Sequence, residues 1–307
     1  MTEVAALVGA TAVGKTAVAV RLAEILDAEI VSLDSMQIYR GMDVGTATPG
    51  ATDLARVPHH LINLRDPQEN LTVAEFQQLA RSAIAEIAER GRLPLLVGGS
   101  GLYFRAVVDD LRFPPQDPEV RGALEEEAVV EGTEALYARL ERIDPDAAAK
   151  MEPTNTRRIV RALEVVQLTG RPFSEFAAAW ERYESIYDLR IAGLRRDRTE
   201  LYDRIARRVD GMIANGLLAE VEALRQRSCG RTAAQALGYR QVLEAPVNAS
   251  VQEVQAEIVR ATKRFARRQE SWFAADPRVV WFDATDPEIE LSLRAFLSRR
   301  EAEGRLP

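Results

Sequence analysis

Six groups of residues in this chain have types and spacings that can do chemistry. Gly9-Ala10-Thr11-Ala12-Val13-Gly14-Lys15-Thr16 has the spacing G-x-x-x-x-G-K-[ST]. In such a loop the glycines allow a tight turn, successive N–H groups point at phosphate oxygens, Lys15 adds a cation and the Thr16 hydroxyl can ligate Mg²⁺. Asp34, in Asp34-Ser35-Met36-Gln37-Ile38-Tyr39, is the best candidate for a catalytic carboxylate. Gly98-Gly99-Ser100-Gly101-Leu102-Tyr103 is a second glycine-rich turn, in which Ser100 offers a hydroxyl and exposed amides. Three arginine clusters complete the set: Arg157, Arg158 and Arg161; Arg195 to Arg208; and Arg260 to Arg268. Together they describe a polyphosphate site with a general base and an anionic partner.

These residues need elements to hold them. Val4 to Val8 is an apolar run before the phosphate loop, and Ala17 to Leu26 has helical apolar spacing after it. Ala28 to Leu33 reads as a second buried strand ending at Asp34, and Leu93 to Val97 as a third ending at the second glycine turn. Ligands of open α/β sheets sit at the carboxyl ends of strands, so the loop, Asp34 and Ser100 are expected in one crevice. Thr72-Val73-Ala74-Glu75 is a capping box opening a helix that Gly91 stops. The stretch 40–50, rich in Gly and Thr, is expected to cover the site. His59-His60 reads as a structural pair that makes hydrogen bonds.

The prolines of Phe113-Pro114-Pro115-Gln116-Asp117-Pro118 mark a boundary, and 113–187 reads as an all-helical insertion. The core is then expected to comprise 1–112 and 188–307, resuming with a strand at Leu189 to Leu194 and ending with a strand at Val279 to Phe282 and a helix from about Glu288. The expected class is α/β: a P-loop NTPase-like parallel sheet core flanked by helices, with that helical insertion domain.

The chain has 307 residues, 47% hydrophobic and 28% charged, with 40 basic against 47 acidic residues and a net charge of −7. It is long enough for a sizeable core. The acidic balance speaks against a general nucleic-acid coating protein, so any nucleic acid would be gripped locally by the arginine clusters. No apolar run has transmembrane length, no signal peptide precedes the first strand, and Cys229 is alone. These features lead to the expectation of a cytosolic protein with no membrane partner and no disulfide framework.

A phosphate loop followed by a strand-end Asp first suggests a small-molecule kinase, with Asp34 taking the proton of an attacking hydroxyl. The strand at Leu95 to Gly98, however, lacks the acidic residue that a Walker B motif would place there. A nucleotide-switched RNA-binding module is a non-enzymatic reading of the same motifs.

The motifs taken together resemble one family. The two glycine loops, the stretch Asp34 to Ala47, Arg157-Arg158-Ile159-Val160-Arg161-Ala162-Leu163-Glu164, Gly238-Tyr239-Arg240, and Arg267-Arg268-Gln269 with Trp272-Phe273 are similar, in order and over nearly the whole chain, to the bacterial tRNA dimethylallyltransferases. That resemblance implies transfer of a dimethylallyl group from dimethylallyl diphosphate to N6 of the adenosine on the 3′ side of the anticodon. Mg²⁺ would be the cofactor, held near Thr16, and the enzyme would act as a monomer. It implies Asp34, Ser100, Lys15 and Arg198 as catalytic residues and Gly9 to Thr16, including Ala10, Ala12 and Val13, as the diphosphate cradle. It also implies tRNA contacts from Asp34, Ser35, Met36, Gln37, Ser100, Arg121, Arg157, Arg158, Ile159, Val160, Arg161, Gly238, Tyr239, Arg240, Arg267, Arg268, Gln269 and Trp272, with the insertion clasping the anticodon stem. The phosphate loop then cradles a leaving group. Adenylate isopentenyltransferases, which prenylate free AMP or ADP, are the related alternative. Against the family pattern, Ala10 replaces Pro, Thr48 replaces Lys, Asn155-Thr156 replaces Asn-Asp, and Ala274 stands where a basic residue is usual.

Overall fold

The computed structural model describes residues 1–227 and 229–298. It divides the chain into two compact units, Asp110–Glu184 and the remainder. The boundaries of the smaller unit lie three residues before the 113 and 187 expected from the proline-rich stretch and the resumed strand.

The larger unit is built on a six-stranded sheet in the order β3-β2-β4-β1-β5-β6. Its strands are β1 (Glu3–Gly9), β2 (Ala28–Ser32), β3 (His59–His60), β4 (Leu93–Gly98), β5 (Asp188–Arg195) and β6 (Val279–Asp283), and every neighbouring pair is parallel. The apolar run of β1 exists because both faces of the sheet are covered. Val4, Ala6 and Val8 pack into one core cluster, while Ala5 and Leu7 pack into the other. This is the period-two alternation of a strand. Because β1 lies between β4 and β5, the loops after β1 and β4 emerge side by side, and the loop after β2 lies just beyond.

β3 carries no apolar pattern that would mark it as a strand. His59 and His60 pair with Ile30 and Val31 at the sheet edge, and His60 Nε2 meets the buried Glu29 carboxylate at 2.7 Å. Two long helices start where local chemistry starts them. Thr72 and Glu75 cap one another at the head of the Val73–Glu89 helix, and Ser250 and Glu253 do the same for the Val251–Ala274 helix. Among the described residues, no helix is long and apolar enough to cross a membrane.

The smaller unit has helices Pro118–Val130, Thr133–Ile143 and Thr156–Thr169 around its own core of Leu124, Leu136, Leu140, Ile159, Val160 and Leu163, and no strand among its described residues. Inside this core lies Glu164, fully buried. Its carboxylate accepts hydrogen bonds from Arg121 at 2.6 Å and from Arg161 at 2.7 Å.

Candidate active site

The phosphate loop takes its shape from three left-handed backbone positions. Gly9 has φ +147°, and a Cβ there would stand 2.6 Å from the Leu194 carbonyl oxygen of β5. Gly14, with φ +119°, lets the chain enter the Lys15–Leu26 helix. Ala12 has φ +64°, costly for a residue with a Cβ. Its carbonyl accepts a 2.8 Å hydrogen bond from Arg204 Nε, which fixes that strained peptide. Ala10 and Val13 turn their side chains into the core, so they contribute backbone only. Lys15 Nζ curls back to donate to the carbonyls of Gly9 (2.9 Å) and Ala10 (2.8 Å). Burial, assisted by the nearby charge of Arg208, pulls its pKa from 10.5 down to about 7, against the opposing pull of Asp34.

Thr11, Ala12, Gly14, Lys15 and Thr16 line one side of a cleft of about 950 Å³. Across it, Asp34 follows β2, with a carboxylate oxygen accepting the Met36 N–H at 3.0 Å. Burial raises the Asp34 pKa, opposed by the Met36 amide and by the charges of Arg208 and Lys15. The carboxylate is thus made more basic than usual while held between two cations. Ser35, Met36 and Gln37 line the same cleft, as does Ser100. Ser100 is the N-cap residue of the Gly101–Val108 helix, yet its side chain makes no capping hydrogen bond.

The Arg198–Ala214 helix brings Arg204, Arg207 and Arg208 to this cleft. Arg208 is desolvated, which lowers its pKa, and its charge faces Asp34. Arg198 is exposed in the first turn of that helix and does not line the cleft. Arg198, expected at the diphosphate, thus stands apart from the phosphate loop, whereas Arg204 and Arg208, one turn apart on the same helix, line the cleft beside it.

Several residues expected to meet RNA have other work. Ile159 and Val160 are buried in the core of the smaller unit, at 0% and 2% exposure. Arg121 and Arg161 are tied to Glu164, and Arg161 also donates to the carbonyls of Pro114 and Pro115. Arg157 and Arg158, in the first turn of the Thr156–Thr169 helix, are exposed. Tyr239 is wholly buried. Its hydroxyl donates to Glu220 and accepts the Gly45 N–H at 3.1 Å, while Glu220 also accepts the amides of Asp43 and Val44. Tyr239 thereby braces the short helix Asp43–Thr46, whose Gly45 and Thr46 line the cleft. Gly238 and Arg240 line the cleft on either side of it. Arg268 and Gln269 also line it, whereas Arg267 and Trp272 are exposed outside it.

One wall is apolar: Val209 and Met212 continue the arginine-bearing helix, and Ile258, Ala261 and Phe265 face the cleft from the Val251–Ala274 helix. Among the described residues, no group of three or more His, Cys, Asp or Glu side chains can hold a metal ion. A metal here would rely on the exposed Thr16 hydroxyl and on ligands brought by the substrate.

The IPP transferase family model matches residues 37–276. A tRNA dimethylallyltransferase of Acidothermus cellulolyticus is 52% identical over 294 residues, covering 94% of this chain and 91% of its own. One from Streptomyces coelicolor is 50% identical over 300 residues, with 95% of each chain covered. Among solved structures, the tRNA isopentenylpyrophosphate transferase of Bacillus halodurans superposes with a TM-score of 0.72 at 42% identity, covering 97% of this chain and 96% of that one. A eukaryotic dimethylallyltransferase acting on tRNA superposes with a TM-score of 0.81 at 25% identity, covering 96% and 78%. With a P-loop joined to a half-buried carboxylate in one cleft, and with this likeness running the length of the sequence, the chain belongs to the tRNA dimethylallyltransferase family.

Proposed function

We propose that the chain transfers a dimethylallyl group from dimethylallyl diphosphate to N6 of the adenosine on the 3′ side of the anticodon in tRNA, releasing pyrophosphate. The observation that carries this reading is Asp34 sharing a cleft with the phosphate loop, Lys15 and Arg208. An allylic diphosphate loses its leaving group readily because the cation is delocalised, so the demand on the protein is to neutralise charge growing on pyrophosphate. Loop amides at the helix N-terminus, Lys15, Arg204 and Arg208 meet that demand. The apolar wall of Val209, Met212 and Phe265 suits the hydrocarbon chain.

In the step itself, the bond between allylic carbon and bridging oxygen breaks and its electron pair leaves with pyrophosphate. The N6 lone pair forms the new C–N bond, and the N6 proton passes to the Asp34 carboxylate. Ser100 supplies a hydroxyl on the acceptor side. Mg²⁺, when bound, adds charge neutralisation on the diphosphate, and Thr16 is the residue that would ligate it.

The target base must leave its stack, which a single-stranded loop permits at low cost. Asp34 to Gln37 read it, while Arg240, Arg267, Arg268 and the exposed Trp272 hold the surrounding RNA, and the helical unit grips the anticodon stem through Arg157 and Arg158. The enzyme acts as a monomer in the cytosol. Mass spectrometry of products from dimethylallyl diphosphate and Mg²⁺, with tRNA and AMP offered as rival acceptors, tests the acceptor. Prenylated adenosine is expected in the RNA alone, and prenyl-AMP would overturn the assignment.

A further inference from the structure

β1 and β4 are paired up to Val8 and Gly98, and just beyond this pairing each strand runs into a glycine turn, one carrying the phosphate loop and the other Ser100. Past that last rung, Gln269 joins the two turns. From the Val251–Ala274 helix, 7% exposed, it accepts the Thr11 N–H on Oε1 at 2.8 Å and donates from Nε2 to the Gly99 carbonyl at 2.8 Å. The fit is close: a Cβ on Gly99 would stand 2.2 Å from Nε2.

We infer that Gln269 is a positioning residue for the transfer reaction. It sets the loop that holds the diphosphate against the turn that holds Ser100, and so sets donor against acceptor; this rests on the function proposed above. Only a side chain with one acceptor and one donor on a rigid plane satisfies both atoms. A carboxylate has no donor, and an ammonium has no acceptor. Leaving the buried Gly99 carbonyl or the part-buried Thr11 amide unpaired carries a desolvation penalty, which the turns relieve by moving apart. With both ends engaged by backbone, Gln269 shapes the site without reading the RNA. It also spends the Thr11 amide, so the diphosphate is held by the later amides of the loop.

The test uses Gln269→Ala and Gln269→Glu in the full chain. A misplaced loop should raise the KM for dimethylallyl diphosphate and weaken pyrophosphate binding by about tenfold or more, with the KM for tRNA little changed. A merely structural role would lower the active fraction and leave both constants alone. The Glu variant adds a second readout. As a neutral acid its carboxyl can donate to the Gly99 carbonyl and accept from Thr11, but once ionised it repels that carbonyl. Its activity relative to wild type should therefore be highest at acidic pH and fall as pH rises, while the Ala deficit stays constant. Wild-type values of KM and pyrophosphate affinity in Gln269→Ala, or an unchanging deficit in Gln269→Glu, would overturn the inference. Should Gln269→Ala fail to fold, Gln269→Glu decides alone. Pyrophosphate calorimetry needs neither RNA nor turnover, so the inference is read even if wild-type protein prenylates no tRNA, a failure that would belong to the proposed function.

Discussion

The indole of Trp272 lies against the backbone of Gly101, where an added Cβ would stand 1.8 Å from its Cδ1. Gln269, one turn earlier on the same helix, stands nearly as close to Gly99. The second glycine turn is thus glycine-rich because a helix packs directly on its backbone. Gly101→Ala must displace a large ring or the turn and should cost about 1–3 kcal/mol of unfolding free energy, as overpacking does. Gly122→Ala is the matched control. It lies inside the Pro118–Val130 helix with nothing within 4 Å of its added methyl, so it should stabilise by about 0.5–1 kcal/mol. Denaturant melts of both variants check the pair.

With Asp34 as the proposed base, Asp34→Asn, which keeps its shape, should lower the rate of transfer by about 10²-fold or more. Binding of tRNA should be nearly unchanged, since the substitution removes no cation. Single-turnover rates set beside filter-binding affinities separate the two effects. Lys15→Ala should likewise abolish transfer and spare RNA binding.

On the proposed function, Lys15 should make pyrophosphate binding depend on pH. In the folded protein it is charged only below about pH 7, whereas in the unfolded chain it is charged up to about 10.5. The unfolded chain binds the extra proton between those values, so this residue's contribution to stability rises with pH across that window. An anionic ligand favours the charged lysine and raises its pKa. Binding at pH 8 should therefore take up a proton, and affinity should fall as pH rises above about 7. Calorimetry in buffers of different ionisation enthalpy measures that uptake, and in Lys15→Arg, always charged, the lysine's share should vanish.

The arginines of the helical unit should sort into two kinds. Arg157→Ala and Arg158→Ala should each weaken tRNA binding and make the slope of log affinity against log salt shallower by about 0.7 to 0.9 for every phosphate left without its cation. Arg121→Ala and Arg161→Ala each remove a partner of the buried Glu164 and should destabilise the protein by about 1–3 kcal/mol. Salt titrations of binding, read beside denaturant melts, distinguish an arginine that grips RNA from one that holds the core together.

Much of this is legible in the sequence because it is local. The P-loop, the Thr72 capping box and the doubly buried β1 each announce themselves within a few residues. What depends on packing is not. Arg198, Arg204 and Arg208 share one arginine-rich stretch, and which of them reaches the phosphate loop is decided by how the Arg198–Ala214 helix lies against Ala12. Tyr239 reads as available to RNA, yet its hydroxyl braces the Asp43–Thr46 helix from within the core. One further signal is present in the sequence: Glu164 sits between Leu163 and Val165, and a charge within an apolar helix stripe needs buried partners, which Arg121 and Arg161 provide. Nothing local marks Gln269, whose two partners lie 258 and 170 residues away.

The central claim, that the phosphate loop holds a departing pyrophosphate while Asp34 takes a proton from an adenine, meets its most direct test in the stoichiometry of the products. Purified protein is supplied with dimethylallyl diphosphate, Mg²⁺ and a tRNA whose anticodon is followed by adenosine, and pyrophosphate release is counted against N6-dimethylallyladenosine in the digested RNA. The account predicts one pyrophosphate for each modified adenosine, with both products formed about 10²-fold more slowly, or slower still, when Asp34→Asn replaces the wild type. Pyrophosphate released without modified RNA, or transfer undiminished in Asp34→Asn, would contradict it.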